Sequence, residues 1–238
     1  MGKPIISQRR GKGSRRFISL RHRYKGAARH KIKNAAGSFY GTVLSLEHSP
    51  AHSAPIARIQ YADGETGIIL APEGIAIGDT ITMGKTSEIK SGNTLQLADI
   101  PEGTLIYNIE IKLGDGGKMV RASGTSAKIL SKTEAGITLL LPSKKTKIIS
   151  PLCRATIGNV AGGGRLEKPF MKAGKRWHAK RARGKLYPIT SAVAMNAMEH
   201  PFGCGRGRHM GKPSTAPKHA PPGRKVGQIK ARRTGRKR

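Results

Sequence analysis

The most suggestive run for chemistry in the 238-residue chain is Met195-Asn196-Ala197-Met198-Glu199-His200-Pro201, where an imidazole follows a carboxylate. Such a couple could serve as a general base. Adjacent residues of an extended segment point to opposite sides, so adjacency alone does not join Glu199 to His200. No Ser or Cys nucleophile stands in a recognisable elbow. His200 therefore reads as a histidine holding a nucleic-acid or backbone contact. Cys204, His209 and His200 lie near one another while Cys153 is distant. Structural zinc usually needs Cys pairs two to four residues apart, and this chain has none. Gly84-Lys85-Thr86 ends like a phosphate-binding loop, but the first glycine of that pattern would fall at Asp79 and no helix pattern follows. Gly114-Asp115-Gly116-Gly117 reads as a turn and Gly162–Gly164 as a flexible approach point.

The basic runs carry the stronger signal. Residues 9–33 read RRGKGSRRFISLRHRYKGAARHKIK, with Arg and Lys separated by Gly, Ser and single aromatics. The planar guanidinium bonds two phosphate oxygens at once and stacks on bases. Glycine between the charges lets backbone approach backbone. Phe17, Tyr24 and Trp177 could stack on unpaired bases. The candidate nucleic-acid-contacting residues are Arg9, Arg10, Lys12, Arg15, Arg16, Arg21, Arg23, Arg29 and Lys31 on the amino-terminal side, then Lys144 and Arg154. Arg165, Lys172, Lys175, Arg176, Lys180, Arg181 and Arg183 follow, and the tail adds His200, Arg206, Arg208, His209, Lys212, Arg224, Arg232 and Arg233. No residue is assigned a catalytic or metal-binding role.

The elements that must position these residues follow from charge and hydropathy. The formal charge is +32, from 45 Lys and Arg against 13 Asp and Glu. An excess this large repels itself unless a polyanion supplies counter-charge. Residues 1–46 hold twelve cations and no acid, residues 47–142 eight cations and eleven acids, and residues 143–238 twenty-five cations and two acids. Leu, Ile, Val and Phe make up 32 of residues 39–157 but only 15 of the other 119. The middle should fold by itself, whereas the flanks bury too little apolar surface to offset the entropy of ordering and should order against a partner. No apolar run approaches the roughly 20 residues of a spanning helix, and no secretory signal follows the basic start. Two cysteines cannot make a disulfide framework and suit a reducing compartment.

The middle predicts a mostly-β fold. Strands are expected at Phe39–Leu46, Pro55–Tyr61, Thr66–Ala71, Gly78–Met83, Thr104–Ile111, Ala127–Lys132, Gly136–Leu141, Lys147–Ser150 and Arg154–Ile157, with a hairpin turn at Asp63-Gly64. Short strands at this spacing indicate small β-barrels, two rather than one, with the seam in Lys85–Asn93. The expected domains are a basic extension at 1–36, barrels at 37–88 and 89–160, and a basic Gly/Pro-rich extension at 161–238. Pro169–Arg183 can form a short basic helix. Ten of the twenty-three residues from Pro201 to Gly223 are Gly or Pro, which disfavours regular structure there.

Three stretches, LPSKKTKIISPLCRATIGNVAGGG (141–164), RLEKPFMKAGKRWHAKRAR (165–183) and AMNAMEHPFGCGRGRH (194–209), closely resemble the universal large-subunit ribosomal protein of the "L-two" family in its archaeal or eukaryotic form. The resemblance covers essentially the whole chain. It implies an OB-fold followed by an SH3-like barrel, with arm and tail threaded into large-subunit rRNA. It also implies a place near the peptidyl-transferase region and the subunit interface, supporting subunit association and tRNA binding. The implied partners are rRNA, neighbouring ribosomal proteins and the small subunit, with no membrane. The location implied is the large ribosomal subunit in the cytoplasm. No cofactor is implied beyond magnesium carried by bound rRNA. The family's motif histidine matches His200, and the role implied for it is structural because the catalytic centre is RNA. Bacterial members carry a second histidine and a glycine run after the motif, where this chain has Phe202, Gly203, Cys204 and Gly205. The rivals to a structural rRNA-binding protein are an enzyme using His200 as base and a general nucleic-acid binder.

Overall fold

The computed structural model describes residues 2–31, 38–84, 87–205 and 207–229. Two compact units emerge: Arg21–Phe170 is one, and Met1–Leu20 with Met171–Arg238 is the other. The charge profile treats residues 1–36 as one extension, yet its described part is shared between the two units.

The first unit is built on β1 (Phe39–Glu47), β2 (Ile56–Tyr61), β3 (Thr66–Leu70), β4 (Thr80–Met83), β5 (Thr94–Gln96), β6 (Leu105–Tyr107), β7 (Ala127–Thr133), β8 (Gly136–Leu140), β9 (Thr146–Ile149) and β10 (Arg154–Ile157). Nine of these answer to the expected strands. The hairpin at Asp63-Gly64 forms as its sequence predicts, with Gly64 at φ 81 and Tyr61 donating its N–H to Glu65 O at 2.9 Å. Strand β5 was not anticipated: three residues are too short for an alternating pattern to show. The expected strand Thr104–Ile111 stops at Tyr107 because Asn108 takes φ 49, a left-handed conformation that ends the ladder.

The strands form a single sheet in the order β3-β2-β1-β4-β5-β10-β6-β7-β8-β9. Two separate closed barrels were expected; among the described residues the ladder instead runs continuously, with β3 and β9 as its open ends. The join is the parallel pair Met83↔Thr94, which brackets the expected seam. Lys85 and Thr86 of that seam lie outside the described residues. Each half still has its own core. Val43, Ile59, Ile69, Ile81 and Met83 pack in one, and Leu95, Ile106, Ile109, Ile129, Leu139 and Ile157 in the other. A third cluster, Ile56, Leu70, Tyr107 and Val160, bridges the halves, and the Tyr107 hydroxyl donates to Leu70 O at 3.1 Å. Each fully buried Ile or Leu contributes about 1.5–3 kcal/mol relative to exposure, apolar burial that the second unit largely lacks.

The second unit has little to bury. Ile5, Phe202 and Val226 form its buried apolar cluster, with Ala192 against it. Among its described residues are two α-helices, α1 (Ile6–Gly11) and α2 (Ala173–Ala182). Helix α1 lies in the run read as extended; the Gln8 side chain accepts the Ile5 N–H at 2.9 Å and so caps its first turn. Helix α2 begins after Lys172, whose φ of −130° is extended, and so occupies the core of the expected Pro169–Arg183 helix. The described residues from Pro201 to Gly223 form turns and bends with one isolated bridge residue, Thr215.

Candidate nucleic-acid interface

In the terminal unit the candidate cations sit on elements that bury almost nothing. Helix α2 has no buried residue, and Lys175 and Arg176 of its first two turns are exposed. Those two positive charges lie near the positive end of the helix dipole, where cations are unfavourable. The helix is held to the arm by Arg181, which donates to Arg15 O at 2.7 Å and Ile18 O at 3.4 Å. Just beyond it, Gly184 has φ 62, and a Cβ there would lie 2.6 Å from Phe17 O. A glycine is required for this crossing. Arg9, Lys12 and Arg16 share a groove of about 550 Å³ with Ile6, Phe17, Leu186 and Met195. Arg10, Arg15, Lys172, Arg183, Arg208 and His209 are exposed, and Lys180 is half-buried.

His200 lines a second groove, of about 540 Å³, with Lys3, Lys212 and Arg224. Its Nδ1 accepts the Phe202 N–H at 3.0 Å, which places the proton of the neutral ring on Nε2. Partial burial pulls its pKa below the ordinary histidine value. Glu199 is paired with Lys3 Nζ at 3.7 Å. The ring lone pair that a general base would use is thus already spent on the backbone of the turn, and the neighbouring carboxylate is turned to a lysine. Arg224 donates to Pro213 O at 3.3 Å and lies 5.9 Å from the Phe202 ring centroid.

The β unit uses its candidate cations differently. Arg21, Arg23, Arg29, Lys144 and Arg165 are exposed. Lys31 instead pairs with Asp63 and with Glu65 Oε2 at 2.7 Å, and lies 4.3 Å from the Tyr61 ring centroid. Burial opposes its charge, but hydrogen bonds to the two carboxylates outweigh this and raise its pKa. Arg154 donates to Lys31 O at 3.1 Å. Arg206, Arg232 and Arg233 lie outside the described residues.

Sequence reasoning missed the contacts that fasten residues 28–31 onto the sheet. Arg121 donates to Ala28 O at 2.8 Å and to Gly117 O at 2.9 Å. His30 is buried, and its Nε2 meets Asn108 O at 2.6 Å. Glu110, fully buried, accepts N–H bonds from Gly116 at 3.2 Å and Arg154 at 3.0 Å. Arg121 is one of several scattered cations in a near-neutral stretch, so nothing local marks it. Among the described residues, no three of His, Cys, Asp or Glu converge as metal ligands, and no helix is long and apolar enough to cross a membrane. Cys153 is buried and Cys204 exposed.

Comparison with known proteins identifies the lineage. The family described as "Ribosomal Proteins L2, RNA binding N-terminal domain" matches residues 3–83, and "Ribosomal Proteins L2, C-terminal domain" matches residues 90–220. The large ribosomal subunit protein uL2 of Methanobrevibacter smithii is 51% identical over 241 residues, covering 100% of both chains. That of Haloquadratum walsbyi is 50% identical over 236 residues, 99% of this chain and 97% of its own. The Methanothermobacter thermautotrophicus protein is 49% identical over 241 residues, again across both full lengths. With both parts of the sequence matched and relatives aligned end to end, the chain belongs to the L2 family of large-subunit ribosomal proteins.

Proposed function

We propose that this chain is a structural constituent of the large ribosomal subunit that binds rRNA through its two basic ends. The observation that carries the reading is helix α2: ten residues, four cations, no acid and no buried side chain. A helix of this length is marginal in water without an apolar face to pack. Phosphates supply the missing partner, since each cation can replace a condensed counterion on the RNA. The less basic β unit, with 20 Lys and Arg against 12 Asp and Glu, then serves as the folded body from which the ends reach, its halves playing the roles of the family's OB-like and SH3-like barrels. The described ends are partly ordered before contact, and ordering is completed on RNA. A location in the cytoplasm, near the peptidyl-transferase region and facing the small subunit, follows the family. Magnesium enters with the RNA, and no cofactor or chemical step belongs to the protein. His200 holds the turn at Phe202.

The test is sedimentation of tagged full-length protein through a sucrose gradient at moderately high salt. It should travel with large subunits and crosslink to their rRNA through both ends. If a third of its cations engage phosphate, log K against log salt should fall with a slope on the order of −10. Equal affinity for duplex DNA and any folded RNA would overturn the reading in favour of a general polyanion binder. His200→Ala should weaken assembly or leave it unchanged; loss of a chemical step with assembly intact would make it an enzyme.

A further inference from the structure

A smaller cavity of about 420 Å³ in the terminal unit is lined by Arg16, Trp177, Arg181, Lys185, Leu186 and Tyr187. Its volume is within the range of small-ligand sites. Trp177 is 44% exposed although its indole is large and apolar, and it touches His178 edge-on at 4.9 Å between centroids. Tyr187 has the Arg176 guanidinium 5.4 Å from its ring centroid. Arg181 spends one guanidinium nitrogen on the arm's carbonyls. No acidic residue lines the cavity.

This combination goes beyond phosphate neutralisation. Phosphate alone gains nothing from an indole, a phenol ring and Leu186, and a duplex keeps its base faces hidden. An unstacked base presents a flat apolar face, while its flanking phosphates meet Arg16 and Lys185. We propose that this cavity takes an unstacked nucleobase of single-stranded RNA, stacked on Trp177 or Tyr187 and flanked by phosphates on the surrounding cations. The inference rests on the rRNA-binding reading and adds to it a base-recognition site at a named position.

Trp177 is the one tryptophan of the chain, so its emission reports the cavity directly. The full-length protein is titrated with fluorescently labelled single-stranded oligoadenylate, an abasic strand of the same length, and an RNA duplex. Binding is read by anisotropy and stacking by Trp177 quenching. Oligoadenylate should bind and quench, while the abasic strand should bind without quenching. Trp177→Ala and Tyr187→Ala should each weaken oligoadenylate binding about fivefold to a hundredfold and leave abasic binding within twofold. Trp177→Phe keeps an aromatic face and should retain most of the affinity, which separates lost stacking from lost folding. Equal quenching by the abasic strand or the duplex would overturn the proposal, as would equal quenching by oligoglutamate, which would mark an acidic peptide site. Co-sedimentation with large-subunit rRNA but no quenching by oligoadenylate would sink the base site alone. Quenching without rRNA co-sedimentation would sink the ribosomal reading instead.

Discussion

The two units of this chain spend positive charge in opposite ways. In Arg21–Phe170, several cations have carboxylate partners: Lys31 with Asp63 and Glu65, Arg58 and Lys25 with Glu47, and Lys118 with Asp115. The terminal unit, Met1–Leu20 with Met171–Arg238, contains a single acidic residue, Glu199, against twenty-five Lys and Arg. In the β unit, charge fastens chain segments onto an apolar core. In the terminal unit Lys3 meets Glu199, and Arg181 and Arg224 hold backbone carbonyls, but a single carboxylate leaves most of the cations without counter-charge in their own unit. Basic composition is therefore not one property of this molecule, and substitutions should separate its two uses.

The largest separation should come from the core. Ile106 and Ile129 are fully buried in the second half of the sheet. Replacing either with Ala should cost about 2–5 kcal/mol, through lost burial and the cavity left behind. Denaturant unfolding followed by far-UV circular dichroism would read this. A loss below 1 kcal/mol would mean the sheet does not carry the stability assigned to it.

Glu110 comes next, because it is the buried carboxylate that organises polar contacts rather than an exposed cation. It satisfies the Gly116 and Arg154 N–H groups at once. Glu110→Gln replaces an acceptor with an amide nitrogen that cannot accept, leaving a buried donor unpaired at a cost of about 1–3 kcal/mol. The same unfolding experiment tests it, and an unchanged midpoint would show the carboxylate to be dispensable.

His30 gives the β unit a pH dependence that the terminal unit's Lys and Arg do not share. Burial lowers its pKa from 6.5; the hydrogen bond to Asn108 and the nearby Glu110 oppose that shift, while Arg154 and Arg121 add to it. With the folded pKa below the unfolded one, the unfolded chain takes up the proton first. Stability is therefore present above about pH 6.5 and falls as the pH drops below it. His52, also shifted down by burial, contributes in the same sense. Unfolding free energies measured between pH 7.5 and 5 should decline in the parent and decline less in His30→Gln; identical profiles would refute the assignment.

How much of this contrast could be read from the sequence depends on distance along the chain. The strands were legible because alternation and the Asp63-Gly64 turn are local signals. The division of charge was legible because it is a matter of counting. The continuous sheet was not, since it depends on the one parallel pair between Met83 and Thr94, and a single pairing leaves no periodic mark. Nor were the partners of Lys31: its candidacy came from its basic neighbourhood, whereas Asp63 and Glu65 lie more than thirty residues away. His200 was legible as a residue of interest, but its role depends on the fold of the turn that brings the Phe202 N–H to Nδ1. Arg121 and Glu110 could not be found by composition, because their contacts reach residues 28 and 154.

The smallest expected effect on folding is also the sharpest test of the comparison. Lys175 and Arg176 are exposed on a helix that has no buried residue, Arg176 beside the Tyr187 ring, so Lys175→Ala with Arg176→Ala removes charge without opening a buried cavity. Alanine is the better helix former, and the change relieves cations near the helix's positive end. Unfolding of the β unit should shift by less than about 0.5 kcal/mol, as for ordinary surface sites. RNA binding should nevertheless lose about 0.7–0.9 from its salt slope for each phosphate contact removed. The control is Lys25→Ala in the β unit, whose ammonium lies 3.5 Å from the Glu47 carboxylate. If the Lys25 variant lowered the salt slope as much as the helix variant, the cations of the two units would be doing the same work, and the contrast between them would fail.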